Sequence, residues 1–263
     1  MRKRAITLDE RKIIQLEMLK EVDTFCRANN IRYSLAYGTL LGAIRHKGFI
    51  PWDDDVDIMM PLPDMLKFKK KFHSDNLKYC DVDTEKHYDL AISRIAYKPT
   101  YRQLGLIFQS YGVSIDLYPI VSIPSDKSKQ EKYFSTLIKL HRRRKFVKKW
   151  HSFFIKYLPL TSIPIYDFIQ KQYRNYILGT SEYGSTGKYY IVAGPPEQIE
   201  IDTYNFDLFE RLIDVVFEGC LFRAVKCYDE HLTKNYGNYM QLPPEENRHP
   251  YHIGKYYWKQ RNN

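Results

Sequence analysis

The sequence has little sulfur: four cysteines in 263 residues, at positions 26, 80, 220 and 227. No two form a C-x-x-C pair and no His stands at zinc-finger spacing, which excludes a finger framework. Cysteines this sparse predict reduced thiols inside a cell rather than a disulfide scaffold. With 12 glycines and 13 prolines, collagen-like and low-complexity structures are excluded too. No stretch of about 18 apolar residues occurs, so no membrane-spanning helix is expected. Met1-Arg2-Lys3-Arg4 is basic like the start of a signal peptide, but Ile6 to Lys12 supplies no apolar core after it. No internal repeat is visible. Together these absences predict a cytoplasmic protein, soluble or peripheral to a membrane.

The chain is otherwise ordinary globular material, 44% hydrophobic and 27% charged. Its net charge of +10 suggests an anionic partner: nucleic acid, a phosphorylated substrate or a membrane surface. That charge is local. Residues 127–156 hold eleven Lys and Arg and one acid, Glu131. Of 41 basic and 31 acidic residues, the remainder of the chain therefore keeps 30 of each. Tyr133, Phe134, Phe146, Trp150, Phe153 and Phe154 interleave with these charges. The pattern fits an interfacial helix on an anionic leaflet, and it fits a solvated basic face equally well.

Thr7-Leu8-Asp9-Glu10 predicts a capping box, followed by a helix with Ile13, Leu16, Leu19, Val22 and Cys26 on one stripe and an end at Asn29-Asn30. Strands are expected over 31–37, 55–59, 91–97, 113–118 and 188–193, and helices over 40–45, 63–72, 165–178 and 226–235. The basic segment is expected to be helical to Tyr157, and 215–225 to be a hairpin turning at Glu218-Gly219. The expected fold class is α/β (α+β), with a more helical second half. Three regions are expected: a mixed α/β core over 1–122, a helical basic insertion over 123–200, and a C-terminal hairpin, helix and tail over 201–263 packing back on the core.

The chemistry-bearing run is Trp52-Asp53-Asp54-Asp55-Val56-Asp57-Ile58. On a strand, Asp53, Asp55 and Asp57 would share one face at about 6.5–7 Å spacing. Three such carboxylates repel one another unless a cation intervenes, and Mg²⁺ or Mn²⁺ suits this oxygen donor set. On its own the run also fits a solvated Asp-rich turn. Two features favour a site. Gly38-Thr39 sits between a strand and a helix, where free N–H groups can hold a phosphate. Asp116, flanked by Ile115 and Leu117, needs a partner or a metal. Arg45, His46, Arg94, Arg248 and His252 are further candidate contacts for substrate.

A strand, a Gly-Thr turn, Asp-x-Asp and a later strand Asp resemble the nucleotidyltransferase fold of DNA polymerase β-like proteins. The local sequence is more specific. Residues 33–46, YSLAYGTLLGAIRH, and 48–58, GFIPWDDDVDI, resemble the LicD family, to which fukutin and fukutin-related protein belong. Ser114 to Pro119 resembles its third-carboxylate strand. Tyr236 to Pro244 with Arg248 and His252 resembles its C-terminal segment. The likeness covers roughly 7–120 and 215–253, and no cysteine cluster matches the zinc site of fukutin-related protein.

The resemblance implies metal-dependent transfer of a phospho-substituent from a CDP-linked donor to a sugar hydroxyl of a surface glycan or its lipid-linked precursor. Phosphocholine from CDP-choline is the leading case. Ribitol phosphate, glycerol phosphate and phosphoethanolamine are alternatives. Asp55, Asp57 and Asp116, with Asp53, would hold two divalent ions. Asp116 would also take the proton of the attacking hydroxyl, and Gly38 and Thr39 would cradle the donor phosphates. For a choline donor, Tyr33, Tyr37, Tyr111 and Tyr118 would be cage candidates. Two rivals stand beside this reading: a same-fold enzyme delivering NMP, and a nucleic-acid-binding module built on the basic segment. An acidic face counts against the second.

Overall fold

In the computed structural model, residues 4–85, 88, 90–104, 108–157, 163–179, 183–192, 199–249 and 255–259 are described. Helix α1 (Leu8–Ala28) opens on the expected capping box: the Thr7 hydroxyl accepts the Glu10 N–H at 3.1 Å, and Glu10 accepts the Thr7 N–H at 3.0 Å. Its inward stripe is Arg11, Gln15, Met18, Leu19, Val22 and Cys26. Ile13, expected inside, is 65% exposed. The stripe is rotated because Arg11 and Gln15 reach polar partners that an apolar count overlooks.

A short strand β1 (Ser34–Leu35) leads into α2 (Tyr37–Arg45), then β2 (Asp57–Pro61) and α3 (Leu62–Lys71). Next come β3 (Leu77–Cys80), β4 (Ser93–Tyr97), β5 (Thr100–Leu104), β6 (Phe108–Tyr111) and β7 (Ser114–Ser122). The basic segment forms α4 (Lys127–Tyr157), followed by α5 (Ile163–Leu178). The last elements are β8 (Tyr189–Ile191), β9 (Thr203–Tyr204), β10 (Leu212–Phe217), β11 (Cys220–Val225), α6 (Tyr228–Tyr236) and β12 (Tyr256–Trp258).

The main sheet runs β1-β2-β7-β4-β3, with β8 and β9 continuing from the far end of β7. β2 and β7 are parallel and all other pairings in this sheet are antiparallel. The fold is thus mixed α/β, as expected. The two faces of the central pair differ. Ile58, Met60, Ile115, Leu117 and Val121 enter the main core with Met18, Leu19 and Phe68 of α1 and α3. The alternate residues of these strands face the other way. Among them, Met59 and Ile120 join a second core with Tyr204, Leu208 and Val225. Asp57 and Asp116 belong to this second face.

The β10-β11 hairpin turns at Glu218 and Gly219, both at positive φ (49° and 72°), which matches the strand twist. Three expectations change. The predicted strand over 31–37 shrinks to two residues because α2 begins at Tyr37. The predicted strand over 55–59 begins only at Asp57. The stretch between the expected strands 91–97 and 113–118, for which no strand is expected, holds the β5-β6 hairpin, which is completed by β12 from the tail. Residues 158–162, between the two expected helices, lie outside the described residues, as do Ala193 and His252. All four cysteines are free thiols.

Candidate active site

The site forms where β1 ends and β2 and β7 begin, beside the first turn of α2. Asp57 stands directly opposite Asp116 in the parallel register, and Arg94 of β4 stands opposite Asp116 on its other side. Asp57, Asp116 and Arg94 therefore form one row across three strands. The backbone of Asp57 is fixed at both ends: the Thr39 hydroxyl accepts its N–H at 2.8 Å, and its carbonyl accepts the Ala36 N–H at 3.0 Å. Asp116 donates its N–H to the Val56 carbonyl at 2.9 Å. Arg94 forks onto the Asp116 carboxylate, Nε to Oδ1 at 2.5 Å and Nη2 to Oδ2 at 2.8 Å. The Tyr111 hydroxyl accepts from the same guanidinium at 3.1 Å, and the guanidinium lies 5.1 Å from the Tyr111 ring.

Residues 53–56 are irregular chain rather than strand, which corrects the alternation argument. Pro51 and Trp52 form a turn. Asp53 then accepts the Asp54 N–H at 3.0 Å, the local bonding that draws Asp out of regular structure. The result is tighter than a strand would allow. Asp53, Asp54 and Asp55 bring carboxylate oxygens within 4.8 Å of one another. Asp54 is 2% exposed and turned inward, where Arg11 pairs with its carboxylate at 3.1 Å and donates to its carbonyl. Asp53, Asp55 and Asp57 line a cleft of about 820 Å³ together with Gly38, Arg45, Trp52 and Tyr236. That volume suits a nucleotide-sized ligand.

The charge on this wall is under-compensated. Burial, then the charge of Asp55, raises the Asp53 carboxyl to about 7. Burial, then Asp55, Asp116 and Asp53, pushes Asp57 well above the carboxylate range. Hard oxygen donors that resist ionisation together are the donor set a divalent cation completes. The residues present fit such an ion: Asp53 and Asp55 bring their oxygens together, Asp57 lines the same cleft, and Asp116 stands opposite Asp57.

The other predicted residues sort by position. Gly38 lines the cleft, and a Cβ there would lie 2.7 Å from Asp53 Oδ2, so only glycine permits this approach. Thr39 is 3% exposed and its hydroxyl braces Asp57, so it does not face the cleft. Arg45 lines the cleft but donates to the carbonyls of Tyr239 and Gln241 at 2.6 and 3.2 Å. His46 accepts from Arg45 at 3.0 Å. Arg248 donates to the Pro243 carbonyl at 2.9 Å and lies 5.6 Å from the Trp52 ring. Arg45 and Arg248 thus hold the 239–243 segment over the carboxylates, and Arg94 is the counter-ion of Asp116.

Tyr37 packs edge-on to Tyr118 at 5.1 Å, and the Tyr118 hydroxyl donates to Asp57 at 3.4 Å. Tyr37 itself holds φ at 42°, a strained value for a tyrosine at the mouth of the site. Tyr33 is not part of this group: it is fully buried and donates to Asp23 at 2.5 Å. Sequence reasoning missed Arg11, Asp54 as an internal anchor, and Tyr236. Tyr236 stays 42% exposed towards the cleft, yet burial and then the charges of Asp57, Asp53 and Asp55 push its hydroxyl upward. Its only sequence signal was its place in the C-terminal likeness.

The family model described as LicD/FKTN/FKRP, nucleotidyltransferase domain, matches residues 30–168. The chain is 30% identical over 283 aligned positions to the lipopolysaccharide cholinephosphotransferase LicD of Haemophilus influenzae, covering 96% of this chain and 98% of that protein. An uncharacterized protein of Rickettsia typhi is 41% identical over 64 residues, 24% of this chain and 21% of its own. One from Rickettsia prowazekii is 50% identical over 42 residues, 16% of each chain.

Proposed function

The chain belongs to the LicD family, and on that premise we propose that it transfers phosphocholine from CDP-choline to a sugar hydroxyl of a cell-surface glycan or its lipid-linked precursor, releasing CMP. The observation that supports this most is that Asp53, Asp55 and Asp57 line one cleft while Asp116 stands directly opposite Asp57 on the neighbouring strand. The full-length likeness to a lipopolysaccharide cholinephosphotransferase supplies the substrate class.

Asp55, Asp57 and Asp116, with Asp53, would hold Mg²⁺ or Mn²⁺, as two ions, which would neutralise charge on the donor phosphates and on departing CMP. The chain's own groups do the rest. Gly38, which lines the cleft at the positive end of α2, donates its N–H to a phosphoryl oxygen. Asp116, oriented by its ion pair with Arg94, takes the proton of the attacking hydroxyl. The sugar oxygen forms the new bond to phosphorus, the bond to the CMP oxygen breaks, and no covalent enzyme intermediate is needed. The 239–243 segment, clamped by Arg45 and Arg248, closes the opposite wall and excludes water. Tyr37, Tyr118 and Tyr236 offer aromatic faces for a quaternary ammonium. We place the enzyme in the cytoplasm; no described helix is long and apolar enough to cross a membrane.

The test is CMP release by the purified protein from CDP-choline, CDP-ribitol, CDP-glycerol and CDP-ethanolamine, with Mg²⁺, Mn²⁺ or chelator. Metal-dependent turnover favouring CDP-choline, with head-group phosphate on the acceptor, is expected. Preference for another donor overturns the choline assignment. CMP found on the acceptor overturns the direction of transfer. Wild-type turnover by Asp55→Ala or Asp116→Ala overturns the site.

A further inference from the structure

Helix α4 is 31 residues long and presents two different sides. Tyr133, Leu137 and His141 are buried and Leu140, Arg144, Val147 and Lys148 half-buried on one side. α5 runs antiparallel along α4. Tyr133 stacks on Tyr176 at 5.5 Å, while His141 and Arg144, further along, both meet Tyr173 at 5.7 and 4.8 Å.

At 3.6 residues per turn, the opposite side of α4 carries Lys139, Arg142, Arg143, Phe146, Lys149 and Trp150. All six are exposed. Phe146 and Trp150, one turn apart, are 64% and 51% exposed with rings 6.2 Å apart. Continuing the antiparallel register brings Ile165 and Phe168 of α5, 63% and 56% exposed, to the same level of the helix pair. The segment's one acid, Glu131, lies about four turns from Phe146.

Scattered exposed apolar side chains are ordinary, but four at one level beside a basic stripe are not. We propose that this end of the α4-α5 pair is a docking surface for an anionic lipid bilayer. Phe146, Trp150, Ile165 and Phe168 enter the boundary between headgroups and acyl chains, and Lys139, Arg142, Arg143 and Lys149 meet lipid phosphates. A nucleic acid would satisfy the charges. However, base-stacking aromatics line a groove, whereas these side chains, each more than half exposed, stand out from the surface. The surface is separate from the acidic cleft and uses none of its residues.

The experiment is flotation of the purified full chain with vesicles of phosphatidylcholine alone or with about 30% phosphatidylglycerol, at about 50 and 500 mM salt. Retention on anionic vesicles at low salt is expected, with loss on neutral vesicles and at high salt. Neutralising Arg142, Arg143 and Lys149 one at a time to Gln weakens retention about fivefold per charge. Phe146→Ser with Trp150→Ser lowers it at least about tenfold, with helix content unchanged by circular dichroism. Failure of the wild type to float with anionic vesicles overturns the proposal. So does wild-type flotation by a variant with Arg142, Arg143 and Lys149 all changed to Gln. RNA binding without vesicle binding overturns it in favour of a nucleic acid, and a dimer abolished by Phe146→Ser with Trp150→Ser, without vesicle binding, in favour of a second copy. The assay contains no donor or acceptor, so its failure and failure of the transferase reading are distinguishable.

Discussion

Asp53 titrates at about 7, against an ordinary aspartate value of 3.8, because it is buried beside Asp55. A raised carboxyl favours the protonated folded state. As pH rises from about 4 to 7, its ionisation therefore removes stability from the metal-free protein, and the loss is complete above 7. A bound cation reverses this. Mg²⁺ is expected to raise Tm more at about pH 8 than at about pH 5 in a thermal melt. Asp53→Asn should raise the metal-free Tm at the higher pH and blunt the Mg²⁺ response. Equal Mg²⁺ shifts at both pH values would contradict the assignment of Asp53.

Arg94 and Asp116 are about one-tenth exposed and joined by one hydrogen bond and a second ionic contact. Arg94→Met takes the guanidinium away from a buried carboxylate that faces Asp57, at a cost of about 3–5 kcal/mol by urea unfolding, and Arg94→Met with Asp116→Asn should recover most of it. The carboxylates were legible in sequence because acids are rare in apolar strands. The role of Arg94 was not, since it depends on the register between β4 and β7, which no local pattern states.

Among the elements, α2 is held by contacts that glycine alone allows. A Cβ on Gly42 would lie 2.5 Å from the backbone oxygen of Gly48. Gly48 in turn lies under the hairpin turn, where Glu218 accepts the Phe49 N–H at 2.9 Å. Gly42→Ala forces α2 away from the 48–50 turn and should cost about 1–3 kcal/mol, measured by denaturant unfolding. It should also lower turnover, because Thr39 of α2 braces Asp57. Arg45→Ala acts differently. It frees the carbonyls of Tyr239 and Gln241, and should raise KM for the donor about tenfold while Tm moves little. The capping box and the Glu218-Gly219 turn were readable because each is a local contest for backbone hydrogen bonds. The β5-β6-β12 sheet was not, because β12 comes from some 150 residues away in the chain.

At the scale of the molecule, one ion-pair knot ties α5 to the core. Asp81, fully buried, is held by Lys69 of α3 at 2.6 Å and by Arg174 of α5 at 2.8 Å. Arg174 also reaches Asp83 at 3.0 Å. Arg174→Leu should cost about 3 kcal/mol and speed proteolysis within α4 and α5 before the core strands are cut. Cleavage spread evenly over the chain would show that the knot is not what holds the helix pair.

Composition and spacing by themselves determined the mixed α/β class, the position of the long basic helix, and the carboxylates of the site. Each rests on information within a few residues: periodicity, caps, turns and clustered charge. Tertiary structure alone decided which acids meet. It turned Asp54 inward to Arg11, set Asp116 between Asp57 and Arg94, and laid the 239–243 segment over the cleft. It also divided the described part of α4 into a buried and an exposed side. These depend on strand register and on packing between distant segments, which a chain specifies only through its whole set of contacts.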